Sequence, residues 1–178
     1  MDLEKLKYPI GRHQKITLST PEDRNAWMHD LAVLPGNLEA TVASLSEKQL
    51  NTPYRPDGWS VRQVVHHIAD SHLNAFIRIK LVMTEGNTTI RPYKEAIWAA
   101  MGDYTDLPIS HSLNILRGLH PRLVHVFQNM TEDDYKKHYI HPEYGQTYPL
   151  DSVLALYSWH GRHHLAQIME LKKREGWL

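Results

Sequence analysis

Four stretches of this chain carry apolar residues at alternating steps of three and four, the period of a helix with one buried face. The first runs through Trp27, Leu31, Leu34, Leu38, Val42 and Leu45. Thr20-Pro21-Glu22-Asp23 opens it, with a capping hydroxyl, a proline in the first turn and early acids. Pro35 falls inside the pattern, so a kink or two helical pieces are expected there. The second stretch opens at Ser60 and Gln63, a capping-box pair, and runs to about Thr84, striped by Val61, Val64, Ile68, Ala75, Ile79 and Val82. The third covers about Ser110 to Met130 with Leu113, Leu116, Leu119, Leu123, Val124 and Phe127. The fourth covers about Leu150 to Arg174 with Leu150, Val153, Leu154, Tyr157, Ile168 and Leu171.

Between these stretches the pattern changes. Thr52 to Gly58 is rich in turn residues. Glu85 to Tyr93 reads as loop, and Lys94 to Met101 as a short helix. His141-Pro142-Glu143-Tyr144-Gly145, flanked by Tyr139, Ile140, Thr147 and Tyr148, reads as a small hairpin. The expected fold is all-α: a four-helix bundle with a short extra helix and a small hairpin before the last helix. The 178 residues suffice for one domain, expected to span 1–178. A faint repeat supports the arrangement. Leu45-Ser46-Glu47-Lys48-Gln49-Leu50 is echoed by Met130-Thr131-Glu132-Asp133-Asp134-Tyr135, and a histidine-bearing helix follows each. Two helix pairs related by a rough two-fold would set those two helices side by side.

Charge narrows the function. Twenty Lys and Arg balance twenty Asp and Glu, which gives no electrostatic basis for a nucleic-acid or anionic-membrane partner. No cysteine is present, which excludes thiolate metal sites and fits a reducing compartment. Met1 to Gly11 lacks the apolar centre of a signal peptide, and no apolar run approaches the ~20 residues that span a bilayer. The expectation is a cytoplasmic protein.

Histidine is in excess, at thirteen residues, and it is a common metal ligand. On the last helix His160 and His164 are four apart, one turn above each other, so both side chains can reach one ion. No glutamate lies between them, which removes the helical zinc-protease reading. By helical phase His164 lies on the apolar face, His160 on its border, and His163 further toward solvent beside Trp159 and Gln167. A third ligand must come from another helix. The second helix offers His66, which points away from the apolar face beside Arg62 and Asp70 and is expected to be solvated, His67 at the edge of that face, and His72 well inside it. Phase alone leaves His67 and His72 open.

The run Gly58-Trp59-Ser60-Val61-Arg62-Gln63-Val64-Val65-His66-His67-Ile68-Ala69-Asp70-Ser71, with Trp159-His160 and His163-His164, resembles the DinB/YfiT-like superfamily. The likeness extends through Tyr8-Pro9-Ile10-Gly11, Thr52-Pro53-Tyr54-Arg55 and Ile90-Arg91-Pro92-Tyr93. It points to the YfiT-type branch, whose members are called metal-dependent hydrolases and bacillithiol transferases. The resemblance implies a four-helix bundle with a pseudo-two-fold and the metal ligands His67, His160 and His164, with His72 packed behind them. It also makes a homodimer plausible.

Three neutral imidazoles leave a tetrahedral ion one open position, the arrangement of a catalytic zinc site. Zinc suits nitrogen ligands best, with nickel, cobalt or manganese as other occupants. Such an ion can activate either water or a thiol. The resemblance favours transfer of a low-molecular-weight thiol, bacillithiol, to a small electrophile. Hydrolysis is the alternative, and a metal-binding module without turnover is a third reading. No carboxylate is recognisable in the sequence as a general base, which counts against hydrolysis. Arg55, Arg91 and Tyr93 are the expected substrate-binding residues, because guanidinium forks bind carboxylates bidentately. Trp59, Trp98, Trp159 and Tyr157 are pocket candidates that would serve equally as core.

Overall fold

The computed structural model describes residues 2–16 and 18–177. Met1 and Leu178, the ends of the single-domain span read from sequence, lie outside the described residues. A short N-terminal turn of helix, α1 (Leu3–Lys7), precedes the bundle. The four long helices are α2 (Pro21–Val42), α4 (Val61–Glu85), α7 (Ser110–Gln128) and α9 (Leu150–Arg174), with one-turn helices α3 (Glu47–Leu50) and α8 (Glu132–Lys136) ahead of α4 and α9. The chain therefore folds as the four-helix bundle expected from the apolar spacing.

Helix α2 packs on α7 and α9, and α4 packs on the same two helices. The diagonal pairs are thus α2 with α4 and α7 with α9, and the two histidine-bearing helices, α4 and α9, are neighbours. The faint repeat has a physical counterpart in this arrangement. Both α3 and α8 begin with a complete capping box, Ser46 with Gln49 and Thr131 with Asp134.

Three details depart from the sequence reading. Helix α2 runs as one helix through Pro35 and is not divided into two pieces. The short helix expected over 94–101 is the one-turn α5 (Glu95–Trp98), and a second short helix not expected from the sequence, α6 (Gly102–Asp106), follows it. The hairpin, β2 (His138–His141) with β3 (Gln146–Pro149), gains a parallel strand β1 (Thr88–Thr89) from a segment read as loop. Two residues carry too little periodicity to be read as a strand, and this one is made by its partner.

The core divides into two apolar clusters. One holds Leu31, Phe76, Ile79, Leu123, Phe127 and Tyr157 among others, and the other holds Leu38, Val64, Ile68, Leu116, Ile168 and Leu171. Along the helices, His72 of α4 and His160, His163 and His164 of α9 fall between these two groups. Burial of the apolar stripes at roughly 25 cal/mol per Å2 holds the bundle together, and it also fixes the polar layer between them. No helix among the described residues is long and apolar enough to cross a membrane.

Candidate metal centre

His67 projects from α4 toward α9, where His160 and His164 project back one turn apart. One nitrogen from each of the three lies within 4.8 Å of the others. His67 Nε2 and His160 Nε2 are 3.1 Å apart. Nitrogen ligands on a tetrahedral ion with bonds of ~2.0–2.1 Å stand about 3.3 Å apart, so the spacing fits.

The neighbours decide which nitrogen of each ring faces the centre. His164 Nδ1 meets Gln167 Oε1 at 2.8 Å, and Gln167 Nε2 donates to the Lys7 carbonyl at 2.9 Å and approaches His163 Nε2 at 3.0 Å. With its amide so directed, Gln167 accepts from Nδ1–H of His164 and leaves that ring's Nε2 lone pair free. His160 Nδ1 meets His72 Nε2 at 3.2 Å, which again leaves Nε2 toward the centre. Such outer partners set tautomer and ring orientation in metal sites. His72 is fully buried and stacks on His120, with ring centroids 4.9 Å apart. His67 Nδ1 is buried and has no hydrogen-bond partner among the described residues.

Burial lowers the pKa of all three rings. His67 is held down to about 4, and His160 and His164 lie well below the ordinary histidine value, each pushed further by the neighbouring rings. Neutral imidazoles with converging lone pairs are what a divalent cation requires of its ligands.

Two cavities meet at this point. The larger, about 600 Å3, is walled by Trp59, Trp159, Arg55, Lys7 and Tyr8, and the smaller, about 290 Å3, by the tyrosines of α9 and the sheet; both include His67, His160 and Glu95. Glu95, at the start of α5, points its Oε2 to within 4.0 Å of His67 Nε2. Its pKa is raised, first by partial burial and then by Glu143. The sequence reading found no carboxylate in such a place. Glu95 sits in a short helix with no apolar stripe, and only the folding of 86–99 back over α4 brings it to the histidines.

The expected substrate residues scatter. Arg55 lines the larger cavity, half-buried, with Nε on Tyr54 Oη at 3.1 Å and Nη1 on the Pro56 carbonyl at 2.7 Å. Tyr93 lines the smaller one and packs on Trp98, ring centroids 4.5 Å apart. The Arg91 side chain is exposed and lines neither, and its carbonyl accepts from Arg78 Nη2 at 3.0 Å.

Two histidines read as solvent-facing are buried. His66 is covered by the segment between α6 and α7, with Nδ1 on Ser112 Oγ at 2.7 Å and Nε2 near the Leu107 carbonyl at 3.3 Å. His163 stacks on Trp159 at 4.5 Å and packs against Tyr8, because the N-terminal segment lies on that face of α9. Phase within one helix cannot report what a distant segment covers.

The comparisons with known proteins agree with the fold and bear on the site. The sequence matches the DinB superfamily over residues 31–168. This chain belongs to the DinB superfamily. A Bacillus mycoides relative named "Putative metal-dependent hydrolase" is 45% identical over 98% of this chain and all of its own length. One of the same name from Geobacillus thermodenitrificans is 47% identical over 98% of both chains. YfiT from Bacillus subtilis, a solved structure described as "a probable metal-dependent hydrolase with an unusual four-helix bundle topology", superimposes with a TM-score of 0.96 at 40% identity. The match spans 98% of this chain and 99% of YfiT.

Proposed function

We propose that this DinB-superfamily chain is a metal-dependent transferase that joins a low-molecular-weight thiol of the bacillithiol type to a small electrophile. His67, His160 and His164 hold one divalent ion, zinc first among the candidates. The observation that carries the proposal is the meeting of two cavities on one histidine cluster. A transfer between two substrates needs two binding spaces that converge on the reacting atoms, whereas hydrolysis needs one and a water.

A divalent ion held by these three histidines would supply Lewis acidity and lower the pKa of a bound thiol or water. The protein's own groups do the rest. Glu95 Oε2, beside His67, takes the proton released by the nucleophile, and partial burial, which raises its pKa, makes it a stronger base than an ordinary carboxylate. Trp59 and Trp159 wall the larger cavity and limit water around the nucleophile. Lys7 and Arg55 in the same wall give cationic contacts to a thiol that bears carboxylates.

Hydrolysis is the second reading, favoured by the Glu95 carboxylate and by the names of the relatives. The test is thiol consumption with bacillithiol and monobromobimane, run beside release of nitrophenol from p-nitrophenyl acetate. Protein stripped by chelator, reloaded with zinc, nickel, cobalt or manganese, and carrying His160→Ala is compared in both assays. Metal-dependent conjugation that His160→Ala abolishes supports the transferase. Metal-dependent ester cleavage without conjugation replaces it with the hydrolase.

A further inference from the structure

Among the described residues three arginines are buried: Arg24, Arg62 and Arg78, each 9% exposed or less. Arg24 is ion-paired with Glu132 and Arg62 with Glu47. Arg78 has no such partner among the described residues. It donates from Nη2 to the Arg91 carbonyl at 3.0 Å and approaches the Tyr157 hydroxyl, so most of its five N–H donors are unclaimed. A buried guanidinium without a counter-ion is costly to keep, and buried charges are as a rule paired.

The side chain faces the smaller cavity. Its charge opposes the rise that burial imposes on the hydroxyl pKa values of Tyr93, Tyr139 and Tyr157, all in that cavity's wall. His141, in the same wall, has a buried Nδ1 with no partner among the described residues. Glu95 and Glu143 also line the cavity, yet neither pairs with Arg78, although the other two buried arginines both meet glutamates. The cavity reaches His67 and His160, so a ligand anchored at Arg78 extends toward the histidine cluster.

We propose that this cavity is a carboxylate-binding site, in which the Arg78 fork holds the anionic end of a small aromatic or unsaturated acid between tyrosine walls. Assigning that acid to the electrophilic substrate rests on the transferase reading above; the binding itself does not. An Arg–carboxylate pair is bidentate and planar, and the tyrosines supply flat apolar faces with hydroxyl tips.

The experiment is 19F NMR titration of chelator-stripped protein with 4-fluorobenzoate and with its neutral isostere 4-fluorobenzamide. Absence of metal removes the competing carboxylate site at the histidines, and it separates this test from any outcome of the activity assays. The wild type should bind the acid at least tenfold more tightly than the amide. Arg78→Met should erase that preference, Arg78→Lys should weaken acid binding severalfold by losing the fork, and Arg117→Met, at an exposed arginine paired with Glu39 and outside both cavities, should leave it unchanged. Thermal unfolding by circular dichroism accompanies each variant, and Arg78→Met should melt no lower than wild type because it removes an unpaired buried charge. Arg78→Lys decides the matter if Arg78→Met does not fold. Equal binding of acid and amide, no binding of either, full acid affinity in both Arg78 variants, or loss of the preference in Arg117→Met would each overturn the proposal.

Discussion

His120 Nδ1 lies 2.6 Å from the carbonyl oxygen of Leu31, the acceptor that Pro35, four residues on, leaves without its helical donor. The proline that should break α2 is thus answered from α7 by a histidine fully buried beside the histidine cluster. The same ring stacks on His72, which bonds His160, so the repair of α2 and the orientation of the last helix's histidine share one layer.

His120→Ala removes that donor and leaves a buried carbonyl unsatisfied, a loss of about 1–3 kcal/mol plus a cavity contribution. In a Pro35→Ala background, the backbone N–H that the substitution restores can take the Leu31 carbonyl, and the cost of His120→Ala should shrink by about 1 kcal/mol. Urea unfolding of the four proteins in a double-mutant cycle measures this. Strict additivity would show that the two residues do not share the carbonyl.

Gln167→Ala should weaken metal affinity about 10–100-fold, the usual effect of losing an outer partner of a histidine ligand. Gln167→Glu keeps an acceptor for His164 Nδ1–H and should recover most of the affinity, though it gives up the donor to the Lys7 carbonyl. Competition titration against a chromogenic chelator reads both. Equal affinities in all three proteins would remove Gln167 from the site.

Glu95→Gln should lower the catalytic rate about 10²–10⁴-fold, the range for loss of a general base, while metal affinity stays within a few-fold of wild type. In the wild type, activity should fall with acid on a limb above the ordinary carboxylate pKa, since partial burial and Glu143 raise that of Glu95. A variant with undiminished turnover would show that the carboxylate only borders the site.

The metal-free protein should be acid-labile. His67 and His163 are held down to about 4 by burial, and His72 and His120 are lowered by the same cause. Their folded pKa values lie below the ~6.5 of the unfolded chain, so unfolding takes up protons in between. Stability is complete above about pH 6.5 and falls as pH drops toward 4, by up to ~1.4 kcal/mol per unit for each such ring. Urea midpoints in chelator at pH 7 and pH 5 check the sign, and equal midpoints would contradict it.

Gly161 lets α9 approach α2 beside His160; a Cβ there would run into Leu34 Cδ2. Gly161→Ala should cost about 1–3 kcal/mol from overpacking and should weaken metal binding by displacing its neighbour. Adding Leu34→Ala should restore the metal affinity. Metal titration of the single and double variants tests it, and a single variant with unchanged affinity would count against the close approach.

Apolar spacing was enough to place the four helices and to set His164 on the apolar face, because the bundle's own packing sets that phase, but it read the buried His163 as facing solvent. It was not enough to choose between His67 and His72, which lie on one face of α4 at different depths; the family resemblance made that choice, and the fold brings His67 to the other two. What stayed hidden came from segments without periodicity. Glu95, Arg78 and the cover over His66 depend on how 86–109 folds across α4, and the burial of His163 depends on the N-terminal segment. Those are contacts between distant stretches, and no local pattern encodes them.

The most direct test of the central claim is a calorimetric titration of chelator-stripped protein with zinc. The account predicts one ion per chain in the wild type and in His66→Ala and His125→Ala. It predicts loss of the high-affinity isotherm in His67→Ala, His160→Ala and His164→Ala. Unit stoichiometry with full affinity in any of those last three would contradict it.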